Sequence, residues 1–274
     1  MRPGPCAPLP LAATLVLAST FAQAPLTPVR RAPHLSLDHV VVAVNDLEKA
    51  AERFRALGFT LKPGRPHANG IRNWHAKFPD GTEIELLTAP EARDDLTRKY
   101  RQLLAQGDGA AFLALYPGKD AEPPSTPMPD YIFFGGLNFS PTDKPEHYQH
   151  PNTAVALSAV SIADPRIEEA IDEARGSDKD GRLKRGRRRD CARRECSIVL
   201  ADGDKIHLLN SKHRLLPGRP IVGVEVGVRS LAVVQRVLKH AGMARFRVID
   251  ERRHALIVEP EVANGICLTF VERR

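Results

Sequence analysis

The residues most able to do chemistry in this sequence are a histidine and two glutamates near the ends of residues 37–87. His39 lies in a β-branched run at 37–44, and Glu83 and Glu85 lie in a run at 82–87. Both runs predict strands. Because strand side chains alternate between faces, Glu83 and Glu85 share one face, and His39 can look into the same space. From residue types alone we expect a structural His39–Glu85 hydrogen bond, since an unpaired buried imidazole or carboxylate is costly.

A short helix and a hairpin are predicted between these two strands. Asn45 and Asp46 are good N-caps, Glu48 is spaced for a capping box with Asn45, and Gly58 ends the helix. Apolar residues recur between them at helical spacing, at Leu47, Ala50, Ala51, Phe54 and Leu57. A turn at 79–81 then joins a strand at 73–78 to the Glu85 strand. The predicted order of elements is β-α-β-β-β.

Three stretches of this unit resemble the glyoxalase-like branch of the vicinal oxygen chelate (glyoxalase/bleomycin resistance/extradiol dioxygenase) superfamily. They are Leu37-Asp38-His39-Val40, the loop Gly64-Arg65-Pro66-His67-Ala68-Asn69-Gly70-Ile71-Arg72-Asn73 and the strand Glu83-Ile84-Glu85-Leu86-Leu87. The resemblance implies an α+β fold of repeated βαβββ modules, paired into curved mixed sheets around a cavity.

The resemblance also implies a divalent metal, held by a histidine on the first strand of a module and a glutamate on its last strand. His39 and Glu85 occupy those two positions. Nitrogen and oxygen donors suit Zn, Mn, Ni, Co or Fe(II) and do not discriminate among these ions.

Two protein ligands do not hold an ion firmly, so the metal hypothesis requires at least a third ligand. The sequence leaves the third ligand open between the second module and three histidines: His67, His75 and His207. Substrate-binding side chains are expected on the loop and strand at the cavity rim: Arg65, Arg72 and Asn73. Either arginine could bind a carboxylate or phosphate through two parallel hydrogen bonds. The alternative for each residue is an ordinary polar loop.

The second module is predicted to be degenerate. A strand at 109–116 is followed by a proline-rich stretch at 117–129 in place of a helix, and then by a strand at 131–134. Gly135-Gly136-Leu137-Asn138 stands where the resemblance leads us to expect histidine-bearing sequence.

Two more copies follow, at a spacing that indicates module duplication. Superimposing the turn at 202–203 on the turn at 80–81 places His207 at the position of Glu85 and Leu157 at the position of His39. In the fourth module Gly223 and Thr269 take these two positions. The second half is therefore expected to be scaffold.

The chain divides into four segments. Residues 1–24 contain an apolar core at 9–18 and end in Ala22-Gln23-Ala24, which has the form of a signal-peptidase site. We expect a cleaved signal peptide there, a linker at 25–36, an N-terminal glyoxalase-like module pair at 37–151 and a C-terminal pair at 152–274. A periplasmic or secreted location follows as an expectation. Stable membrane insertion is not expected, because the apolar core is too short to span a bilayer.

The distribution of charge limits the classes of partner that the protein is expected to bind. The formal net charge is +7, and its densest basic cluster lies at 182–194. This cluster has no interleaved aromatic residues, so we expect a solvated hairpin and no nucleic-acid partner. The expected partner is a small-molecule substrate, and a homodimer is left open.

These observations lead to two alternative functions. The first is a divalent-metal-dependent enzyme of the lyase, isomerase or dioxygenase type, in which the ion acts as a Lewis acid toward a small oxygenated molecule. The second is a non-catalytic small-molecule or drug-binding protein of the bleomycin-resistance type. The sequence assigns no catalytic residue beyond the metal ligands.

Overall fold

The computed structural model describes residues 35–118, 127–136, 138–164, 166–167, 196–243, 246–249 and 255–273. For residues 196 and 246–249 only the backbone is described. The predicted signal peptide, the basic cluster at 182–194 and most of the helix expected after Asp164 lie outside these ranges. Within the described ranges, no helix is long and apolar enough to cross a membrane.

Strands predominate in the described part of the chain. They are β1 (Ser36–Ala43), β2 (Lys62–Pro63), β3 (Arg72–Lys77), β4 (Glu83–Thr88), β5 (Gly109–Tyr116), β6 (Ile132–Phe134), β7 (Ala154–Ile162), β8 (Cys196–Val199), β9 (Lys205–Leu208), β10 (Ile221–Val228), β11 (Phe246–Ile249), β12 (Ala255–Val258) and β13 (Cys267–Glu272). The α-helices are α1 (Leu47–Ala56), α2 (Asp95–Leu104) and α3 (Leu231–His240), with 3-10 turns at Pro145–Tyr148 and Ser211–His213.

The first sheet has the strand order β2-β3-β4-β1-β5-β6. β1 runs parallel to β4, with His39 opposite Glu83 and Val41 opposite Glu85, and antiparallel to β5. Residues paired across neighbouring strands point to the same side of a sheet, so His39, Glu83 and Glu85 lie on one face. We call this surface the polar face.

The opposite face of the first sheet packs on α1. Trp74 of β3 points to that side, where the guanidinium of Arg55 lies 4.7 Å from the ring centre. The N-cap of α1 is Asp46, whose side chain accepts from the backbone N–H of Lys49. The predicted capping box of Asn45 with Glu48 is wrong, because Asn45 instead bonds Asp108 and Glu48 bonds Arg72.

The second sheet has the order β11-β12-β13-β10-β7-β9-β8. β10 pairs parallel with β13 and antiparallel with β7, repeating the relation of β1 to β4 and β5. The predicted equivalence of Leu157 and His39 is wrong by two residues. β7 pairs with β9 so that Ala159 lies opposite Lys205 and Ser161 opposite His207. If His207 matches Glu85, Ala159 therefore matches His39.

One apolar core runs through both sheets. Phe59 lies at their junction, with its ring centre 5.9 Å from that of Phe270 in β13 and 6.2 Å from that of Phe78. Phe270 is fully buried, so truncating it to alanine should cost about 3–5 kcal/mol. This shared core holds the first sheet against the second.

Candidate functional site

The centre of the polar face is the pair His39 and Glu85. Nε2 of His39 lies 3.7 Å from Oε2 of Glu85, and both side chains are largely buried. The distance exceeds that of a hydrogen bond, so these two atoms converge without direct bonding. The structural His39–Glu85 hydrogen bond expected from residue types is therefore wrong, because the two groups face each other at a distance too long for it.

A bulge in β1 brings a third charged group to His39. The register with β5 shifts between Leu37 and His39, which places Asp38 on the bulge. Oδ2 of Asp38 lies 3.4 Å from Nδ1 of His39, while its other carboxylate oxygen accepts from the amide of Asn138. Burial lowers the pKa of His39, but the contact and charge of Asp38, followed by the charge of Glu85, outweigh it and raise the pKa to about 9.

Glu85 is held from the opposite side. Nδ2 of Asn73 donates to its Oε1 at 2.5 Å and lies 3.5 Å from Nε2 of His67. Asn73 fits because residue 64 is glycine, where a Cβ would stand 1.7 Å from Oδ1 of Asn73. Burial and the charge of Glu85 raise the pKa of Tyr100 above its ordinary value. Glu85 therefore has one oxygen engaged and the other directed at His39.

A chain of ion pairs continues along the polar face from Glu83. Oε1 of Glu83 lies 3.0 Å from Nδ1 of His75, and its Oε2 lies 3.6 Å from Nζ of Lys77. Nζ of Lys77 is also 3.1 Å from Asp143, which pairs in addition with Lys62. Burial raises the pKa of Glu83, but the hydrogen bond and charge of His75 bring it below its ordinary value.

Asp143 belongs to a segment that covers one end of the polar face. Residues 138–148, the covering segment, follow β6 and contain a 3-10 turn. The backbone carbonyl of Asn138 accepts from Lys77, and the Tyr148 hydroxyl donates to Asp143 at 2.7 Å. Burial raises the pKa of Asp143, but the bonds from Lys62, the Ser140 N–H and Tyr148 hold it well below its usual range. The covering segment is therefore fixed by buried charge.

Aromatic rings stand on the other side of His39. Phe133 of β6 meets the imidazole edge-on, with ring centres 5.5 Å apart, and is 40% exposed. Behind it lie Phe112 of β5 and Tyr100 of α2, whose ring centres are 5.2 Å apart. Nζ of Lys99 is 4.8 Å from the centre of the Phe112 ring. The site therefore offers charges on one side and an aromatic wall on the other.

The structure brings together four of the residues that the sequence singled out: His39, Glu85, Asn73 and His67. His75 lies on the same face but turns to Glu83. His207 lies on the second sheet, in contact with Ser197. Arg65 is exposed on its loop.

Arg72 is not joined to Asn73 at the site. The two residues are neighbours on β3 and so point to opposite faces, and Arg72 binds Glu48 at 3.0 Å.

Several residues of the site were not found by sequence reasoning. Asp38 adjoins His39 in the sequence, but nothing local indicates the bulge that turns it toward the imidazole. Lys77 could have been found, because on β3 it lies two residues after His75 and four after Asn73, and therefore on the same face of the strand. Asp143 and Phe133 come from distant segments, and no local pattern connects them with His39.

The donor set does not fit the predicted metal as a closed site. Among the described residues, no three histidine, cysteine, aspartate or glutamate side chains are placed to share one ion. His39 and Glu85 supply two donors, and one oxygen of Glu85 already accepts from Asn73. Four buried polar atoms of the polar face make no hydrogen bond: Oδ2 of Asp38 and Nδ1 of His39, which face each other at 3.4 Å, Oε2 of Glu83, which lies 3.6 Å from Nζ of Lys77, and Oδ1 of Asn73. Buried polar atoms rarely lack hydrogen bonds, so these atoms leave the polar face with capacity to bind a ligand or water.

Two surface cavities lie away from this cluster. One, of about 370 Å³, is lined by Glu48, Arg72 and Arg101. The other, of about 620 Å³, is lined by Tyr131, Asp164 and Arg214. In each cavity an acid is already paired with an arginine, Glu48 with Arg72 at 3.0 Å and Asp164 with Arg166 at 2.8 Å, whereas His39 and Glu85 face each other without a hydrogen bond, so the polar face is the better candidate for chemistry.

The comparisons with known proteins agree with this fold. Residues 37–117 match the family model of the glyoxalase-like domain. No curated protein matches the sequence significantly. A solved triple mutant of 4-hydroxymandelate synthase from Streptomyces coelicolor is 11% identical, with a TM-score of 0.58 over 87% of this chain and 92% of that one.

A xylose isomerase-like TIM barrel/4-hydroxyphenylpyruvate dioxygenase fusion protein is 10% identical, with a TM-score of 0.53 over 87% of this chain. The chain spans about half of that protein, 48% of its length. At these identities the likeness is one of fold, and it confirms the predicted pairing of βαβββ modules around curved mixed sheets.

Proposed function

We propose that the protein binds a small oxygenated molecule between His39 and Glu85 and moves a proton on it, a function in keeping with the match of residues 37–117 to the glyoxalase-like domain model. The observation that carries this proposal is the convergence of Nε2 of His39 and Oε2 of Glu85 at 3.7 Å without a bond. An acid and a base held apart on one face can each reach the same small molecule.

The two groups differ in what they can do. Asp38 and the nearby carboxylates favour the imidazolium form of His39, which is a hydrogen-bond and proton donor. Glu85 can accept a proton at Oε2, because Asn73 holds only its other oxygen. Asn73 is a positioning residue, since its hydrogen bond to Oε1 fixes the orientation of the Glu85 carboxylate.

The aromatic wall supports a narrower substrate class. Phe133 is exposed beside His39, and Phe112 lies behind it with a ring-centre distance of 6.4 Å. A ligand that fits both sides carries polar oxygens at one end and an aromatic or branched apolar group at the other. An aromatic 2-oxo or 2-hydroxy acid has this form, and the named substrates or products of the structural relatives are of this type.

The proposal is tested with a panel of 2-oxo and 2-hydroxy acids, with and without an aromatic ring. We expect at least one aromatic member to raise the melting temperature of wild type and to exchange its α- or β-hydrogen for deuterium in D₂O, measured by NMR. Glu85→Gln should slow the exchange by about 100-fold, in the range of a lost general base. Glu225→Gln on the second sheet is the matched control and should exchange like wild type.

Two results separate this function from the non-catalytic alternative. Binding of panel members without enzymatic exchange would identify a small-molecule-binding protein. No stabilisation by any member would contradict both functions at this site.

A divalent-metal enzyme of the type implied by the resemblance is the second candidate. It is favoured by the same convergence of His39 and Glu85 and opposed by the lack of a third described ligand. Metal content and melting with and without a chelator distinguish the two. A bound ion stabilises the native state by mass action, so chelation should lower the melting temperature of wild type and not of Glu85→Ala. Equal melting with and without chelator would leave the metal-independent function.

A further inference from the structure

A second cluster of reactive side chains lies on the second sheet, away from the polar face. The Ser197 hydroxyl of β8 is 2.7 Å from Nδ1 of His207 in β9. Nε2 of the same imidazole is 3.9 Å from Oε2 of Glu225 in β10. A nucleophile, a base and a carboxylate therefore follow one another across three strands.

Small residues of β7 allow this arrangement. β7 lies between β10 and β9, so Glu225 and His207 must reach each other across it. Ala159 is the partner of Glu225, and Ser161 is the partner of His207. Neither is large enough to separate the imidazole from the carboxylate. The cluster is thus a product of the register of the sheet.

The hydrogen-bond chemistry assigns a role to each group. A neutral imidazole carries its proton on one nitrogen and accepts on the other. With the proton on Nε2, facing Glu225, the lone pair of Nδ1 faces the Ser197 hydroxyl. The 3.9 Å gap to Glu225 exceeds a hydrogen bond, but catalytic bonds are often long without substrate and tighten when it binds.

We propose that Ser197, His207 and Glu225 form a second site, for acyl transfer from small carboxylic esters, independent of the proposed function of the polar face. Ser197 is the nucleophile, His207 is the general base and Glu225 is the positioning residue that orients the imidazole.

The reaction consumes the ester and one molecule of water and needs no other reactant. Oγ of Ser197 attacks the ester carbonyl carbon while its proton passes to Nδ1 of His207. The carbon–alkoxy bond then breaks, and the departing alcohol takes that proton, leaving an acyl ester on Ser197. Water adds to this ester, gives its proton to His207, and releases the carboxylic acid as the proton returns to Ser197.

The surroundings of Ser197 indicate the size of the acyl group. Ser197 is exposed on β8, and Val199, two residues along the same face, is 52% exposed. An apolar acyl chain can lie on Val199 beside the attacked carbonyl. The exposed face fits short, activated esters and selects weakly among them.

A fluorophosphonate probe on the full chain tests this site, since it reacts covalently with an activated serine. We expect one equivalent of label on the peptide that contains Ser197 and none on that peptide in Ser197→Ala. His207→Gln should slow labelling by about 100-fold, as expected for loss of a general base. Glu225→Gln should slow it less, and Glu225→Asp should recover part of the rate, a rescue that a merely structural role would not produce.

Two controls keep the sites distinct. Ser211→Ala removes another exposed serine and should be labelled like wild type. His240→Gln, which removes an exposed histidine at the end of α3 and outside both sites, should also be labelled like wild type. Unlabelled wild type, or equal labelling of wild type and Ser197→Ala, would overturn the proposal. Both variants are at exposed or distant positions, and their melting curves verify that they are folded.

Discussion

The two sheets repeat one backbone register but carry different chemistry on it. In the first sheet, the pairing of β1 with β4 sets His39 opposite Glu83 and Val41 opposite Glu85. In the second, the pairing of β10 with β13 sets Gly223 opposite Cys267 and Glu225 opposite Thr269. The position of His39 is thus a glycine in the second sheet, and the position of Glu85 is a threonine. Equivalent backbone positions do not imply equivalent sites.

The same comparison of the two sheets shows which position of the first sheet corresponds to His207. Phe133 pairs with Ala114, which pairs with His39. His207 pairs with Ser161, which pairs with Gly223. Phe133 and His207 therefore occupy matching positions, one as part of an aromatic wall and the other beside Ser197.

Burial is the main physical difference between the two faces. Lys77 and Glu83 are almost fully buried, whereas the side chains of His207 and Glu225 are 28% and 25% exposed. Buried charges must be paired, and removing one partner is costly, while exposed pairs contribute little. Substitutions on the first sheet should therefore change stability more than those on the second.

The largest effect is expected at Lys77, which joins Glu83 and Asp143. Lys77→Met should lower the free energy of unfolding by about 3–5 kcal/mol, because it leaves buried carboxylates without this partner. Lys205→Met, an exposed lysine of β9, is the control and should change stability by less than about 0.5 kcal/mol. Urea unfolding measures both. Equal losses would contradict the difference in burial between the faces.

The next largest effect is a loss of stability in acid, which we expect from the buried His150 of the first half. Nδ1 of His150 accepts from the Thr60 N–H, and Nε2 donates to the Lys77 carbonyl. Burial lowers its pKa from 6.5 to about 4. The unfolded chain therefore takes up this proton first, so the stability contribution is complete above about pH 6.5 and is lost as the pH falls toward 4.

This loss should amount to about 3 kcal/mol across that range. It should be absent in His150→Gln and retained in His207→Gln, whose imidazole is in contact with solvent in the wild type. Unfolding experiments at closely spaced pH values between 7 and 4 measure it. A wild-type curve parallel to that of His150→Gln would contradict a buried neutral imidazole.

A moderate effect is expected at Gly223, the counterpart of His39. A Cβ at this position would stand 2.6 Å from the backbone oxygen of Cys267, so Gly223→Ala forces β10 and β13 to shift. The cost should be about 1–3 kcal/mol by thermal unfolding, with no change in ligand or metal binding. Gly136→Ala, where a Cβ meets nothing within 4 Å, serves as the control. Altered metal content in a folded Gly223→Ala would mean that the metal site lies in the second half.

The smallest effect is expected at Glu225. Its contact with His207 is long and partly exposed, so Glu225→Gln should change the free energy of unfolding by less than about 0.5 kcal/mol. Calorimetry on the two proteins measures this difference. A loss comparable with that of Lys77→Met would mean that the second cluster is structural and buried.

Local pattern was sufficient to predict most elements of the described fold. The alternation in β1 and β4 identified the shared face of His39, Glu83 and Glu85, because the period of a strand is independent of its surroundings. The same rule separates Arg72 from Asn73, and applying it to the rim residues would have removed Arg72 from the site. Helix α1 followed from its apolar spacing and from Gly58, where φ is +86°.

The amino-acid sequence by itself determined the strands, the helices and the presence of His39 and Glu85 on one face, since these depend on neighbours a few residues apart. Only the tertiary structure decided which atoms meet. The bulge at Asp38, the bonds of Asp143 to Lys62 and Lys77, and the reach of Glu225 across β7 depend on register and on segments far apart in the chain. A buried charge needs a partner, because an unpaired charge in the protein interior is costly. The local sequence does not show which residue that partner will be, because it comes from a distant segment of the chain.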